Sequence, residues 1–277
     1  MIAKSIVITK LQNTLPMISP EMFPEIFAYI SSLPGIDTAQ KPDDLPMPLE
    51  IANTILTKDR PRILPEKLID VIIDLFELEI AEGNSAAMND LGACYYDGSR
   101  GFEQDFEKAV HYKMAAEKGN RQSQENLGYC YYYGRDGEPD YEKAFHYYAL
   151  GAFDGHLVSL YKIGDMYLHG LYVTKNEKEA FYIFMRCIET MTDEAAYRVA
   201  GPVYLRLGRM FLDGSGTERN LKNALICFQK AESFLYDMVL DGEVMYRKSL
   251  NAAIKGQQET REKLSEQLPV NQWKFDG

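Results

Sequence analysis

From Pro65 to Glu82 the apolar residues Leu68, Val71, Ile72, Leu75, Phe76 and Leu78 fall three and four apart. That spacing places them on one face of an α-helix, with Pro65 in its first turn. Downstream the same alternation recurs as a fixed cluster: Leu91-Gly92-x-x-Tyr95-x-x-Gly98, Leu127-Gly128-x-x-Tyr131-x-x-Gly134, Ile163-Gly164-x-x-Tyr167-x-x-Gly170 and Leu207-Gly208-x-x-Phe211-x-x-Gly214. Gly83, Gly119 and Gly155 are spaced 36 residues apart, a period that identifies stacked helical hairpins. The pattern predicts first helices near Ser85 to Tyr96, Gln122 to Tyr133, Leu157 to His169 and Pro202 to Leu212. It predicts second helices near Phe106 to Lys118, Tyr141 to Asp154, Glu177 to Thr190 and Leu221 to Leu235. The spaced glycines supply the positive φ that closes a helix. Glycine inside a helix costs roughly 1 kcal/mol against alanine, so Gly92, Gly128, Gly164 and Gly208 are expected to mark backbone contact with the paired helix. Ala109, Ala144, Ala180 and Ala224 meet the same need for close approach from the second helices.

The flanks differ from the array. Nine of the 12 prolines precede residue 66, which sets residues 1–63 apart as a Pro-rich amino-terminal capping segment with short helices. Helices are expected over Pro20 to Ser32, ended by Pro34-Gly35, and over Leu49 to Thr57, with a loop from Asp37 to Pro48. Residues 64–238 form the repeat solenoid, a partial leading unit and four further units packed neighbour to neighbour. The step from the third unit to the fourth is 44 residues, and the extra length near 190–202 predicts an extended second helix or an added short one. Thr192-Asp193-Glu194 and Gly201-Pro202 mark its candidate boundaries. Residues 239–277 supply a carboxyl-terminal capping helix over Val244 to Leu264 and a tail containing Trp273.

The combined pattern, A-x-x-L-G-x-x-Y-x-x-G and then K-A-x-x-x-Y-x-x-A-A-x-x-G, resembles the Sel-1-like repeat, a branch of the tetratricopeptide superfamily. It is clearest from Lys108-Ala109 to Lys118-Gly119 and from Lys143-Ala144 to Tyr147-Tyr148, and it covers about Gly83 to Tyr236. Glu179 and Asn223 depart from it, standing where the lysine is expected, and Met191-Thr192 ends the third unit without a glycine. The resemblance implies an all-α fold, a right-handed α-α superhelix, and an adaptor role in assembling complexes, as in bacterial signalling, secretion or host interaction and in eukaryotic protein quality control. Secreted relatives linked to β-lactam binding close each hairpin with a cysteine pair, a pattern missing here, so that activity is not carried over.

Charge narrows the partners. With 41 acidic and 30 basic residues the formal charge is −11, against the basic footprint that nucleic acid or anionic lipid requires. A protein or peptide with basic or aromatic anchors is the compatible ligand. No stretch reaches the length of a signal peptide or membrane span, from which a cytoplasmic location is expected. Cys94 and Cys130 share one repeat position, about 10 Å apart in stacked helices and too far to bridge. Together with Cys187 and Cys227 they are expected to be thiols.

In the geometry the resemblance implies, first helices line a concave groove. It selects Asn89, Tyr96, Asp97, Glu125, Tyr129, Tyr132, Tyr133, Tyr161, Asp165, His169, Arg209 and Asp213, a tyrosine-rich and acidic set. Tyrosine offers large contact area at low entropic cost, although Tyr132 and Tyr133 could equally pack between helices. No catalytic residue, metal site or cofactor is assigned. His111 and His146 share one repeat position and read as scaffold; His169 has no nucleophile or metal spacing around it. Asp213-Gly214-Ser215-Gly216 follows a helix instead of a strand and reads as an interhelical turn. The expected function is therefore a non-enzymatic scaffold. An inhibitor or immunity-type protein neutralising a basic toxin or nuclease is the alternative, and a hydrolase a distant third.

Overall fold

A computed structural model describes residues 2–33, 46–60, 62–135 and 137–267. The loop assigned to Asp37 to Pro48 falls largely outside these residues, as do Pro34-Gly35 and the Trp273 tail. All regular structure among the described residues is helical. The chain is α1 (Ile2–Gln12), α2 (Pro24–Ser32), α3 (Pro48–Thr57), α4 (Glu66–Ala81), α5 (Ser85–Asp97), α6 (His111–Glu117), α7 (Arg121–Tyr133), α8 (Tyr141–Phe153), α9 (Leu157–His169), α10 (Glu177–Thr190), α11 (Asp193–Asp213), α12 (Leu221–Leu240) and α13 (Arg247–Gln267). It gathers into two compact units, Met1–Pro139 and Asp140–Gly277.

In the first unit α4 packs against α1, α3 and α5, and α6 lies between α5 and α7. One apolar core runs from Val7 and Ile8 of α1 through Ile51 and Ile55 of α3 and Leu68, Ile72, Leu75 and Phe76 of α4 to Leu91 and Phe102. The sequence pattern left α1 unassigned, yet its Val7, Ile8 and Leu11 are buried in this core. The carboxyl end of α3 is closed by a distant cation. Arg100, buried and held at φ +62°, donates from Nη1 to the carbonyls of Asp59 (3.1 Å) and Arg62 (2.6 Å) and from Nη2 to those of Lys58 (2.7 Å) and Ile55 (3.4 Å). A guanidinium there satisfies carbonyls that a helix end leaves without intrahelical donors and complements its negative pole. Asp59 in turn accepts the Ile26 N–H in the first turn of α2 at 2.9 Å.

The glycine spacing has a definite geometric meaning. Gly83, Gly119 and Gly155 adopt φ of +84°, +81° and +85°, and the residue after each donates its N–H back five places: Asn84 to Glu79 (3.0 Å), Asn120 to Ala115 (3.1 Å), His156 to Gly151 (2.9 Å). This is the Schellman closure of a helix. Asn84 and Asn120 then begin the next helix, their side-chain oxygens accepting the N–H groups of Ala86 and Ser123 at 3.0 and 2.9 Å. Asp140, Asn176 and Asn220 cap α8, α10 and α12 in the same way.

Two expectations are corrected in the second unit, where α9 packs on α8 and α10, and α11 on α12 and α13. Gly164 and Gly208 do not meet backbone; each meets an aromatic ring. A Cβ on Gly164 would stand 2.6 Å from Phe184 Cε1, and one on Gly208 would stand 2.8 Å from Phe228 Cδ1. Phe228 is gripped on a second side by Gly256 of α13, where a Cβ would come within 2.5 Å. The inserted residues extend the first helix of the fourth unit, not a second helix, and Gly201-Pro202 lies inside α11. Proline in a helix costs about 3 kcal/mol. Val199 and Val203 are buried around it, and each valine stabilises by about 1.5–3 kcal/mol when buried, so packing outweighs the break. In the first unit the second helix also starts late: Lys108–Val110 is a 3₁₀ turn leading into α6.

Replacing Gly164 with alanine tests the ring contact. Helix propensity alone predicts a gain of about 1 kcal/mol. We expect instead a loss of about 1–3 kcal/mol from overpacking against Phe184, read as a lower urea midpoint at unchanged slope. A raised midpoint would refute the contact.

Candidate interaction surface

The first helices carry the residues singled out from sequence, and their surroundings differ between the units. In α5, Asn89 is committed to its neighbour. Its Oδ1 accepts Ser123 Oγ at 2.9 Å and Asn126 Nδ2 at 3.2 Å, joining α5 to α7, while Asn53 of α3 donates to Asp90 at 2.8 Å. Tyr96 packs edge-on against Phe106 with ring centroids 5.6 Å apart and accepts a hydrogen bond from Arg135. Burial, the largest influence, pushes its phenol above the ordinary range, against the pull of the Arg135 guanidinium. Asp97 is exposed at the end of α5; lost hydration raises its carboxyl, with Arg60 opposing.

The carboxyl half of α7 is aromatic. Tyr129 and Tyr133, one helical turn apart, stack at 5.8 Å with 17° between ring planes. Tyr132 meets Tyr133 edge-on at 4.9 Å, and the Arg135 guanidinium lies 5.6 Å from the Tyr133 ring. Tyr133 is 47% exposed, so this ordered cluster has an open face. Glu125, at 1% exposure, lies in the interior and not on a surface.

In the second unit Tyr161 and Asp165 are also interior, each 3% exposed. Asp165 accepts a two-pronged hydrogen bond from Nε and Nη2 of Arg206 on α11, the latter at 2.6 Å, and the same guanidinium stands 5.3 Å from the Tyr161 ring. His169 and Asp213 end α9 and α11 and are exposed. Arg209 pairs with Glu259 of α13 at 3.0 Å and covers the Phe228 ring at 5.7 Å. Thus Tyr96, Asp97, Tyr129, Tyr132 and Tyr133 come together in the first unit, while Glu125, Tyr161 and Asp165 are interior, the last two meeting Arg206 of another helix. Several exposed aromatics escaped the sequence reading, among them Tyr172, Tyr182 and Phe153; Phe153, 92% exposed, stands two residues before Gly155, where the preceding units have Ala81 and Glu117 before their glycines. That break in the repeat is the signal that could have found it.

Chemistry is sparse. No group of three or more potential metal ligands clusters among the described residues. Gly214-Ser215-Gly216 lies in the turn between α11 and α12, as expected. All four cysteines are thiols, Cys187 and Cys227 buried and Cys94 and Cys130 partly so. Desolvation drives the Cys94 and Cys187 thiols up to about 12 and Cys227 to about 11. None of these three is poised as a nucleophile, since the thiolate is the reactive form. No helix of the described residues is long and apolar enough to cross a membrane.

Against known proteins, the family model described as Sel1 repeat matches residues 85–120, 121–156, 157–184 and 194–233. The fold is similar to that of a Sel1 repeat protein from Oxalobacter formigenes, at a TM-score of 0.53 and 22% identity, over 61% of this chain and 66% of that one. It is also similar to c5321, a protective antigen of uropathogenic Escherichia coli strains with an SLR fold, at a TM-score of 0.56 and 20% identity, over 83% of this chain and 50% of that one. The chain thus spans less than two thirds of either structure, and at these identities the likeness is one of fold. No curated protein matches the sequence.

Two outcomes follow from this geometry. Arg206→Leu leaves a buried carboxylate without its partner and should cost about 3–5 kcal/mol in thermal or urea unfolding, with most of the loss recovered when Asp165 is also made leucine. Cys94, Cys187 and Cys227 should resist iodoacetamide in the native protein at pH 8 and react once it is unfolded. Because folding raises these thiols, their neutral forms add stability that is intact below the unfolded value near 9 and is lost as pH climbs toward 11–12. Rapid native labelling would contradict the burial.

Proposed function

The chain belongs to the Sel1 repeat family, and from that premise we propose that it is a non-enzymatic scaffold receiving a peptide or protein on the tyrosine-bearing surface of its first helices. Repeats of this family generally mediate protein–protein interaction. The observation that carries the finer reading is the Tyr129, Tyr132 and Tyr133 cluster, held in fixed geometry with Tyr133 open to solvent. Preordered aromatic rings present large area with little side-chain entropy left to lose, which is why tyrosine dominates binding hot spots. Asp97 near the end of the neighbouring helix and the overall charge of −11 favour a partner with basic or aromatic anchors.

The test is capture from native lysate by the immobilised full-length chain. Wild type should retain a defined set of components, and Tyr129→Ala/Tyr132→Ala/Tyr133→Ala should release it while helix content by circular dichroism is kept. Tyr133→Ala alone, at a half-exposed position, guards against unfolding and should weaken capture by about tenfold, as expected of one hot-spot residue. Undiminished capture by both variants removes the tyrosine surface from the proposal. A single stoichiometric basic toxin-like protein in place of several components would make the chain an inhibitor.

A further inference from the structure

The second unit contains a cavity of about 510 Å³ between the start of α9, the end of α10 and α11, in the size range of ligand sites. Val158, Leu160 and Val199 give it an apolar lining, and Phe153 stands at its wall almost wholly in water. Arg186 and Arg198 line it as well, and among the described residues of its wall there is no carboxylate. In a chain with 41 acidic and 30 basic residues, two guanidiniums beside an apolar hollow run against the prevailing charge. Arg186 makes no ion pair or side-chain hydrogen bond among the described residues.

The backbone adds to this polarity. His156 and Leu157 also line the cavity, and α9 starts there without the side-chain cap that Asn84 and Asn120 provide for α5 and α7. Its first-turn N–H groups therefore keep their positive character. Guanidinium groups match carboxylates through paired, charge-assisted hydrogen bonds, and an apolar lining rewards an aliphatic or aromatic neighbour.

We infer that this cavity docks a partner segment that sets a carboxylate side chain beside an apolar one. The site goes beyond the tyrosine surface, lies wholly in the second unit and takes the opposite charge, so the scaffold holds two chemically distinct partner elements. Phe153 clasps the apolar side chain, and Arg186 and Arg198 receive the carboxylate.

Selection of a random heptapeptide library on the immobilised full-length chain tests this. Recovered peptides should be enriched about tenfold in Asp or Glu next to Leu, Ile or Phe, a preference of about 1.4 kcal/mol. Arg186→Glu/Arg198→Glu should abolish the enrichment while helix content is kept, both positions being exposed. Phe153→Ser should keep the acidic preference and lose the apolar one. Tyr133→Ala should leave the enrichment unchanged, which separates this site from the tyrosine surface. Basic peptides, no enrichment, or an acidic preference that survives Arg186→Glu/Arg198→Glu would overturn the inference.

Discussion

The hairpins of the second unit depend on an aromatic ring packed directly against a glycine. Phe184 on Gly164 and Phe228 on Gly208 bring paired helices closer than any side chain at the glycine would allow. Each ring sits four residues after a small residue, Ala180 or Ala224, and is fully buried. Tyr148 follows Ala144 at the same interval in α8 and is buried to the same degree. The glycine lowers helix propensity by about 1 kcal/mol, while burying an aromatic side chain returns about 1.5–3 kcal/mol, so the contact is favourable wherever the ring is available. Phe228 is met by a second glycine as well, Gly256 of α13.

Close stacking leaves little room for water, so helix ends must satisfy their own polar groups. Gly83-Asn84 and Gly119-Asn120 each do two jobs, the glycine turning the chain out of one helix and the asparagine capping the next. Aromatic carbonyls of the first helices join in, Tyr95 accepting from Asp105, Tyr167 from Asn176 and Phe211 from Asn220 at 2.8–2.9 Å. The rings of those residues meet Phe102, Phe145 and Phe181 edge-on, so one position serves both backbone and seam. Where the rule is broken, at Gly155-His156, the helix start is left without its asparagine cap, and a cavity with two arginines lies beside it.

The candidate surfaces arise from what this scaffold does not need. Asn89, Glu125, Tyr161 and Asp165 face neighbouring helices and are used in packing, hydrogen bonding or ion pairing. Tyr133 and Phe153 sit near helix ends, where the neighbouring helix no longer covers the side chain, and remain exposed. A partner can reach such positions without disturbing the stack.

The 36-residue period, the interhelical turns and the boundaries of α9 and α10 were legible in the sequence, because they follow from local rules of helical spacing and positive φ. So were the thiol state of the cysteines and the shared aromatic positions. Tertiary packing decided the rest. Pro202 lies within α11 because its buried neighbours outweigh the lost hydrogen bond, and α1 is fixed by the core it completes. Arg100 reaches residues some forty positions earlier in the chain, and Arg206 selects Asp165 from another helix. Which of the twelve selected side chains face water was settled the same way, since a repeat position fixes only the direction of a side chain along its own helix. Burial depends on the helix placed across from it.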